Sequence, residues 1–189
     1  DVYKRQVVAW GSNTKGQCAV PWPNRDFVAI AAGEEFSMGL KKDGTVVVWG
    51  DNSYWQHNPP QPNEDFVALA VGLGVKSDGT VINWYTGAPI PFDISNEGKG
   101  KVIAVAGSAR GQVLALTSEG MILAWGSNRE GQCNVPEPNE DFVDIAAGAG
   151  FSLGLKRDGS IVAWGSNRFG TLNVPEPNED YVKIAAARE

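Results

Sequence analysis

The sequence predicts an all-β protein of β-propeller type, and three observations carry that prediction. One passage recurs along the 189 residues: Gly11–Trp49 and Gly126–Trp164 align without a gap, with 26 of 39 positions identical. Each recurrence closes on a tryptophan, at Trp10, Trp49, Trp84, Trp125 and Trp164, spaced 39, 35, 41 and 39 residues apart. Self-similarity at a period of about 20–50 residues marks propellers, solenoids and arrays. Within each period, short apolar alternations are separated by Asp-Gly or Glu-Gly turns, and no segment offers the 3.6-residue apolar pattern of a helix.

The elements follow in chain order. Asp1–Gln6 fits no part of the repeat and reads as a non-native leader. Val7–Trp10 reads as the closing strand of a unit whose earlier part is missing. The repeat domain, 7–189, then divides into units 11–49, 50–84, 85–125 and 126–164, with a partial unit 165–189. In unit 126–164, Phe142–Ala147 is a strand with Val143 and Ile145 on one face. Phe151–Lys156 follows with Phe151, Leu153 and Leu155 on one face, and Asp158-Gly159 supplies the positive φ of a tight hairpin into Ser160–Trp164. A fourth, short strand is expected near Gln132–Val135, ahead of the Pro-Glu-Pro-Asn turn at 136–139. The expectation is therefore an incomplete propeller of four-stranded antiparallel blades.

Small residues recur at Ala31, Ala32, Gly33 and Gly39, and again at Ala146, Ala147, Gly148 and Gly154. A radial arrangement would use them where blades crowd near the axis, with tryptophans and Phe142-type rings filling wider outer gaps. Two units depart from the pattern. Gly72 to Gly79 spans 7 residues where Gly33 to Gly44 spans 11, so four residues of a strand are missing. In the third unit Asp93–Lys101 replaces the Pro-Asn-x-Asp-Phe passage. Loops accept such drift cheaply.

The run Ala-Gly-x-x-Phe-Ser-x-Gly-Leu-Lys-x-Asp-Gly-x-Val-x-x-Trp-Gly, ending at Trp49-Gly50 and at Trp164-Gly165, resembles the regulator-of-chromosome-condensation repeat. The period is similar to the short bacterial form, of the kind that makes up a β-lactamase inhibitor protein. That family forms seven-bladed propellers, so the resemblance implies that this chain holds about 4.5 of 7 blades. Phe36 and Phe151 stand where the family usually carries His. The resemblance further implies binding functions: inhibition of an extracytoplasmic enzyme such as a β-lactamase, or guanine-nucleotide exchange. No inserted segment between strands offers an exchange wedge. It leaves the compartment open, an extracytoplasmic or secreted one being the nearer implication.

Composition narrows the function classes. At 42% hydrophobic and 20% charged residues, the chain has the make-up of an ordinary folded domain. A net charge of −6 with scattered Lys and Arg argues against nucleic acid and against an anionic membrane surface as partners. Cys18 and Cys133 occupy one repeat position, matched by His57 and Leu172, which reads as packing rather than a disulfide or metal ligand. His57 has no repeated acidic or nucleophilic companion, and Ser37 and Ser152 repeat with the fold. The Asn-Glu-Asp triplets give too few oxygens per blade for calcium and read as turns. The expectation is no catalytic residue, no metal site and no cofactor.

Binding is the stronger reading. After each Gly-Ser-Asn (Gly-Asp-Asn in the second unit), two positions vary: Thr14-Lys15, Ser53-Tyr54, Arg129-Glu130 and Arg168-Phe169. The position after Val-Pro, or its equivalent, varies too, as Trp22, Gln61, Glu137 and Glu176. Recognition residues collect on loops held by a rigid scaffold, and large aromatics and arginines anchor protein interfaces. Trp22, Tyr54, Trp55, Arg129, Arg168 and Phe169 are therefore the candidate partner-binding residues, with Trp55 standing where its sister units carry glycine. The partner expected is a protein. Self-association through open blade edges is expected as well.

Overall fold

The structure, a computed structural model, describes residues 6–33, 35–53, 59, 61–84, 89, 100–108 and 111–186. Among these residues every regular element is a β-strand: β1 (Phe27–Ala32), β2 (Phe36–Lys41), β3 (Val46–Gly50), β4 (Phe66–Ala70), β5 (Leu73–Lys76), β6 (Val81–Asn83), β7 (Val102–Gly107), β8 (Gln112–Thr117), β9 (Ile122–Gly126), β10 (Phe142–Ala147), β11 (Phe151–Lys156) and β12 (Ile161–Gly165). Consecutive strands pair antiparallel into four three-stranded meanders, β1-β2-β3, β4-β5-β6, β7-β8-β9 and β10-β11-β12. The chain forms two compact units, Asp1–Pro91 with the first two sheets and Phe92–Glu189 with the last two.

Among the described residues each sheet thus has three strands, which corrects the expected fourth strand at Gln132–Val135. That segment satisfies its backbone locally. Asn134 N–H bonds to Gly131 O and Val135 N–H to Cys133 O, as turns do. The carbonyl of Gln132 accepts from two side chains, Trp164 Nε1 at 2.9 Å and Ser152 Oγ at 2.7 Å. Gln17 O takes the same pair of donors from Trp49 and Ser37. With its donors and acceptors committed this way, the segment has no ladder to offer a neighbouring strand.

A second correction concerns which side chains face inward. Val143 is 45% exposed while Ile145 is buried, so the two do not share a face. The cause is a β-bulge: the register of β10 against β11 shifts between Phe142 and Asp144, and an extra residue reverses the alternation. The same shift recurs at Phe27/Ala29, Phe66/Ala68 and Val102/Ala104. In every sheet the bulge exposes one aliphatic residue, Val28, Val67, Ile103 or Val143, and turns the preceding Phe or Val inward.

The glycines are also explained differently. A Cβ on Gly154 would lie 2.5 Å from the Phe142 ring, and one on Gly74 would lie 2.6 Å from Phe66. These glycines make room for an aromatic ring of the neighbouring strand, rather than for a second backbone near an axis. Above each ring sits an ammonium: Lys41 over Phe27, Lys76 over Phe66 and Lys156 over Phe142, at 4.6, 4.7 and 5.0 Å. Each lysine also donates to the carbonyl of the turn proline, Pro23, Pro62 or Pro138. In the third sheet the ring, the gap and the cation change together, to Val102, Ala115 and Thr117, all three buried. Two of the changes follow from the first, since a smaller Val leaves space for an alanine methyl and offers no π face to a cation.

The cores lie between sheets within each unit. In the first, Phe36, Met38, Leu40 and Val46 pack with Phe66, Ile82 and Trp84. In the second, Leu114, Leu116 and Ile122 pack with Phe142, Ile145 and Trp164. The four-residue deletion of the second repeat closes β4 to β5 through Val71-Gly72 and leaves β5 only four residues long.

A candidate interaction rim

The loops after β3, β9 and β12 start from a glycine, Gly50, Gly126 or Gly165, held at positive φ. Gly165 has φ +101°, and a Cβ there would lie 2.6 Å from the carbonyl oxygen of Gly150. The asparagine two residues on then braces the loop across five residues. Asn128 Oδ1 accepts from Cys133 N at 2.8 Å, Asn13 Oδ1 from Cys18 N at 2.8 Å and Asn167 Oδ1 from Leu172 N at 3.0 Å. In the loop of the second unit's first sheet, Asn128 Nδ2 also donates to Asn134 Oδ1, and Glu130 N–H to Gln132 Oε1. In these three loops the frame is built from constant residues, and the two variable side chains at the tip carry none of it. Thr14-Lys15, Arg129-Glu130 and Arg168-Phe169 are all exposed.

Successive loops lie side by side within each unit. In the first, Lys15 Nζ stands 3.5 Å from Asp51 Oδ1 on the following loop. The Asp51 carboxyl is held below its ordinary range, first by the Ser53 hydroxyl and backbone N–H and then by Lys15. In the second, a shallow cleft is lined by Glu130 of one loop, Ser166, Arg168 and Phe169 of the next, and Ala149 and Phe151 of the intervening hairpin. The Arg168 guanidinium lies 5.4 Å from the Phe169 ring centroid, and Phe169 is 66% exposed. Arg129 borders an adjoining hollow with Ser127, Asn128, Glu130 and Gln132.

The structure does not gather all the candidate residues. Trp22 is 92% exposed, but it adjoins Pro23 at the opposite sheet end, where Lys41 Nζ meets Pro23 O and Lys42 N–H meets Asp26 O beside the β2–β3 turn. Arg129, Arg168 and Phe169 belong to the end of their sheets that carries the loops after β9 and β12. Tyr54, Trp55 and His57 lie outside the described residues. The cysteines serve the loop frame: Cys133 Sγ lies 3.3 Å from the carbonyls of Trp125 and Ser127, and Cys18 Sγ 3.2 Å from that of Ser12. Burial pushes the Cys133 thiol up from its usual value, which disfavours the reactive thiolate.

Two features escaped the sequence reading. The asparagine of each Pro-Asn turn is a clamp: Asn24, Asn63, Asn139 and Asn178 each accept from the N–H and donate to the C=O of one residue, Val7, Val46, Ile122 or Ile161 respectively, at 2.8–2.9 Å. A constant spacing of 17 residues back to the clamped residue, which opens a strand at Val46, Ile122 and Ile161, was the available signal. The second is Gln112, which stands at the Phe36/Phe151 position and is fully buried. Its Nε2 donates to Phe151 O at 3.0 Å and Ser152 Oγ at 2.6 Å, joining β8 to β11 through the carbonyl system of Gln132.

Repeated antiparallel meanders, stapled sheet to sheet and capped by framed loops, define a blade-repeat scaffold of the β-propeller class. Residues 27–56 and 142–171 match the family model described as Regulator of chromosome condensation (RCC1) repeat. Those two stretches resemble RCC1 repeats. No curated protein sequence matches it closely enough to count as a relative. Among solved structures it is similar to Prp20p from Saccharomyces cerevisiae, with a TM-score of 0.58 at 19% identity over 82% of this chain and 48% of that one. It is similar to human WBSCR16, with a TM-score of 0.64 at 19% identity over 94% and 64%. The ectodomain of the Physcomitrella patens receptor kinase CR4 gives 0.65 at 21% identity over 97% and 51%. At these identities the likeness is one of fold. The chain spans about half to two thirds of the length of these proteins.

Proposed function

We propose that this chain is a non-catalytic protein-interaction module whose partner meets the loops following the closing strands. The observation that carries this reading is the division of labour in those loops. Asn128 and Asn167 hold the frame, while Arg129, Arg168 and Phe169 project from it with no structural duty. A rigid frame lowers the ordering cost of binding, and exposed Arg and aromatic side chains are the usual anchors. Prp20p, which shares the fold, is described by its binding to Gsp1p and histones, and a protein partner here is in keeping with that. Enzyme inhibition and nucleotide exchange are special cases of the same reading, with no separate observation at this rim to favour either. Trp22 belongs to a different sheet end and is assigned no part in this contact.

Selection of a random displayed peptide library against the chain tests the proposal. Enriched peptides should lose at least about tenfold in affinity against Phe169→Ala and Arg168→Ala, a difference of ~1.4 kcal/mol. Binders indifferent to both substitutions would refute it.

A further inference from the structure

We infer that the rim of the second unit recognises a carboxylate-bearing protein segment, a specificity that rests on the interaction reading above. The chain carries a net charge of −6, yet both of this unit's framed loops place an arginine at the first variable position. Among the described residues neither Arg129 nor Arg168 forms a hydrogen bond or ion pair with a side chain; Arg168 has only the face of Phe169. A guanidinium stacked on a ring keeps its in-plane donors free, and that fork matches a carboxylate with two parallel hydrogen bonds. Covering two unpaired cations with a neutral partner would cost their hydration without return, so an opposing anion is what the surface requires.

The cleft beside Arg168 adds a second requirement. Its apolar lining comes from Phe151, Ala149 and Phe169, with Ser166, Thr171 and Glu130 beside them. An acidic residue next to an apolar one in the partner would reach both. Glu130 opposes the arginines and weakens the attraction, so its charge is the adjustable element of the site.

The probes are fluorescein-labelled hexaglutamate, hexalysine and a single-stranded oligodeoxynucleotide of the same charge as hexaglutamate, titrated by anisotropy at low ionic strength. Hexaglutamate should bind and hexalysine should not. Arg129→Glu and Arg168→Glu should each weaken hexaglutamate about tenfold or more, and Glu130→Gln should tighten it about threefold. Arg157→Glu, an equal charge change at the opposite end of the same sheet, should alter it less than about twofold. Equal losses from Arg157→Glu and Arg168→Glu, or no binding of hexaglutamate, would overturn the inference. Tighter binding of the oligonucleotide with the same arginine dependence would overturn it too, by reassigning the site to phosphate. If library-selected peptides map to these loops without an excess of Asp and Glu, the carboxylate specificity fails while the interaction reading stands. If they map elsewhere, that reading itself fails.

Discussion

The side-chain amide of Asn139 occupies both backbone groups of Ile122, accepting from its N–H and donating to its C=O at 2.8 Å each. A side chain thus completes the two bonds that a fourth strand would make at that point, and it ties the start of β9 to the turn that opens the next sheet. Asn139→Ala should leave both groups of Ile122 unmatched in a partly buried site and lower stability by about 2–3 kcal/mol, read by urea unfolding. Asn139→Asp should lose nearly as much at neutral pH, because a carboxylate cannot donate to the Ile122 carbonyl. An unchanged midpoint for both would remove the clamp from the account.

The Phe142 ring fills the space above Gly154, so the two positions are energetically coupled. Gly154→Ala should cost about 1–3 kcal/mol by overpacking. In the background of Phe142→Val the same substitution should cost about 1 kcal/mol less, because Val102 and Ala115 already coexist at these positions in the third sheet. A double-mutant cycle by chemical denaturation measures the coupling. Additive losses would contradict the packing explanation of the glycine.

The hairpin aspartates give the fold an acid limit. Asp158 is held below the usual carboxylate range, first by the Ser160 hydroxyl and then by the Ser160 N–H; Asp43 and Asp78 are lowered through the equivalent Thr45 and Thr80. Their folded-state values lie below the unfolded ones, so the stability they add is complete above the ordinary carboxylate range. It is lost as pH falls through the depressed values. The thermal midpoint should stay level above about pH 5 and fall below about pH 4, and Asp158→Asn should make that fall shallower. A midpoint that rises on acidification would reverse the sign of this argument.

How far the sequence could be read follows from the range of the forces involved. Strand content, the Asp-Gly hairpins and the two variable positions of each loop were legible because each is set by neighbours in the chain. The inward position of Ile145 rather than Val143 was not, because the bulge that produces it depends on pairing with β11. The strand expected at Gln132–Val135 failed for a similar reason. Its carbonyl at Gln132 is claimed by Trp164, 32 residues away, and the competition is invisible in local pattern. Arg129, Arg168 and Phe169 were legible as variation against a constant frame. That Trp22 sits at the other sheet end was not, since Val-Pro and Gly-Ser-Asn are close in sequence and only the fold separates them.

The most direct test of the central claim is backbone amide chemical-shift mapping of the isotope-labelled chain, titrated with a library-selected peptide. Perturbations should centre on residues 127–132 and 166–171, with those at Trp22, Lys42 and Asp158 unmoved. Perturbations centred on the Pro-Asn turns or on the exposed bulge residues Val28, Val67, Ile103 and Val143, with the loops after β9 and β12 silent, would contradict it.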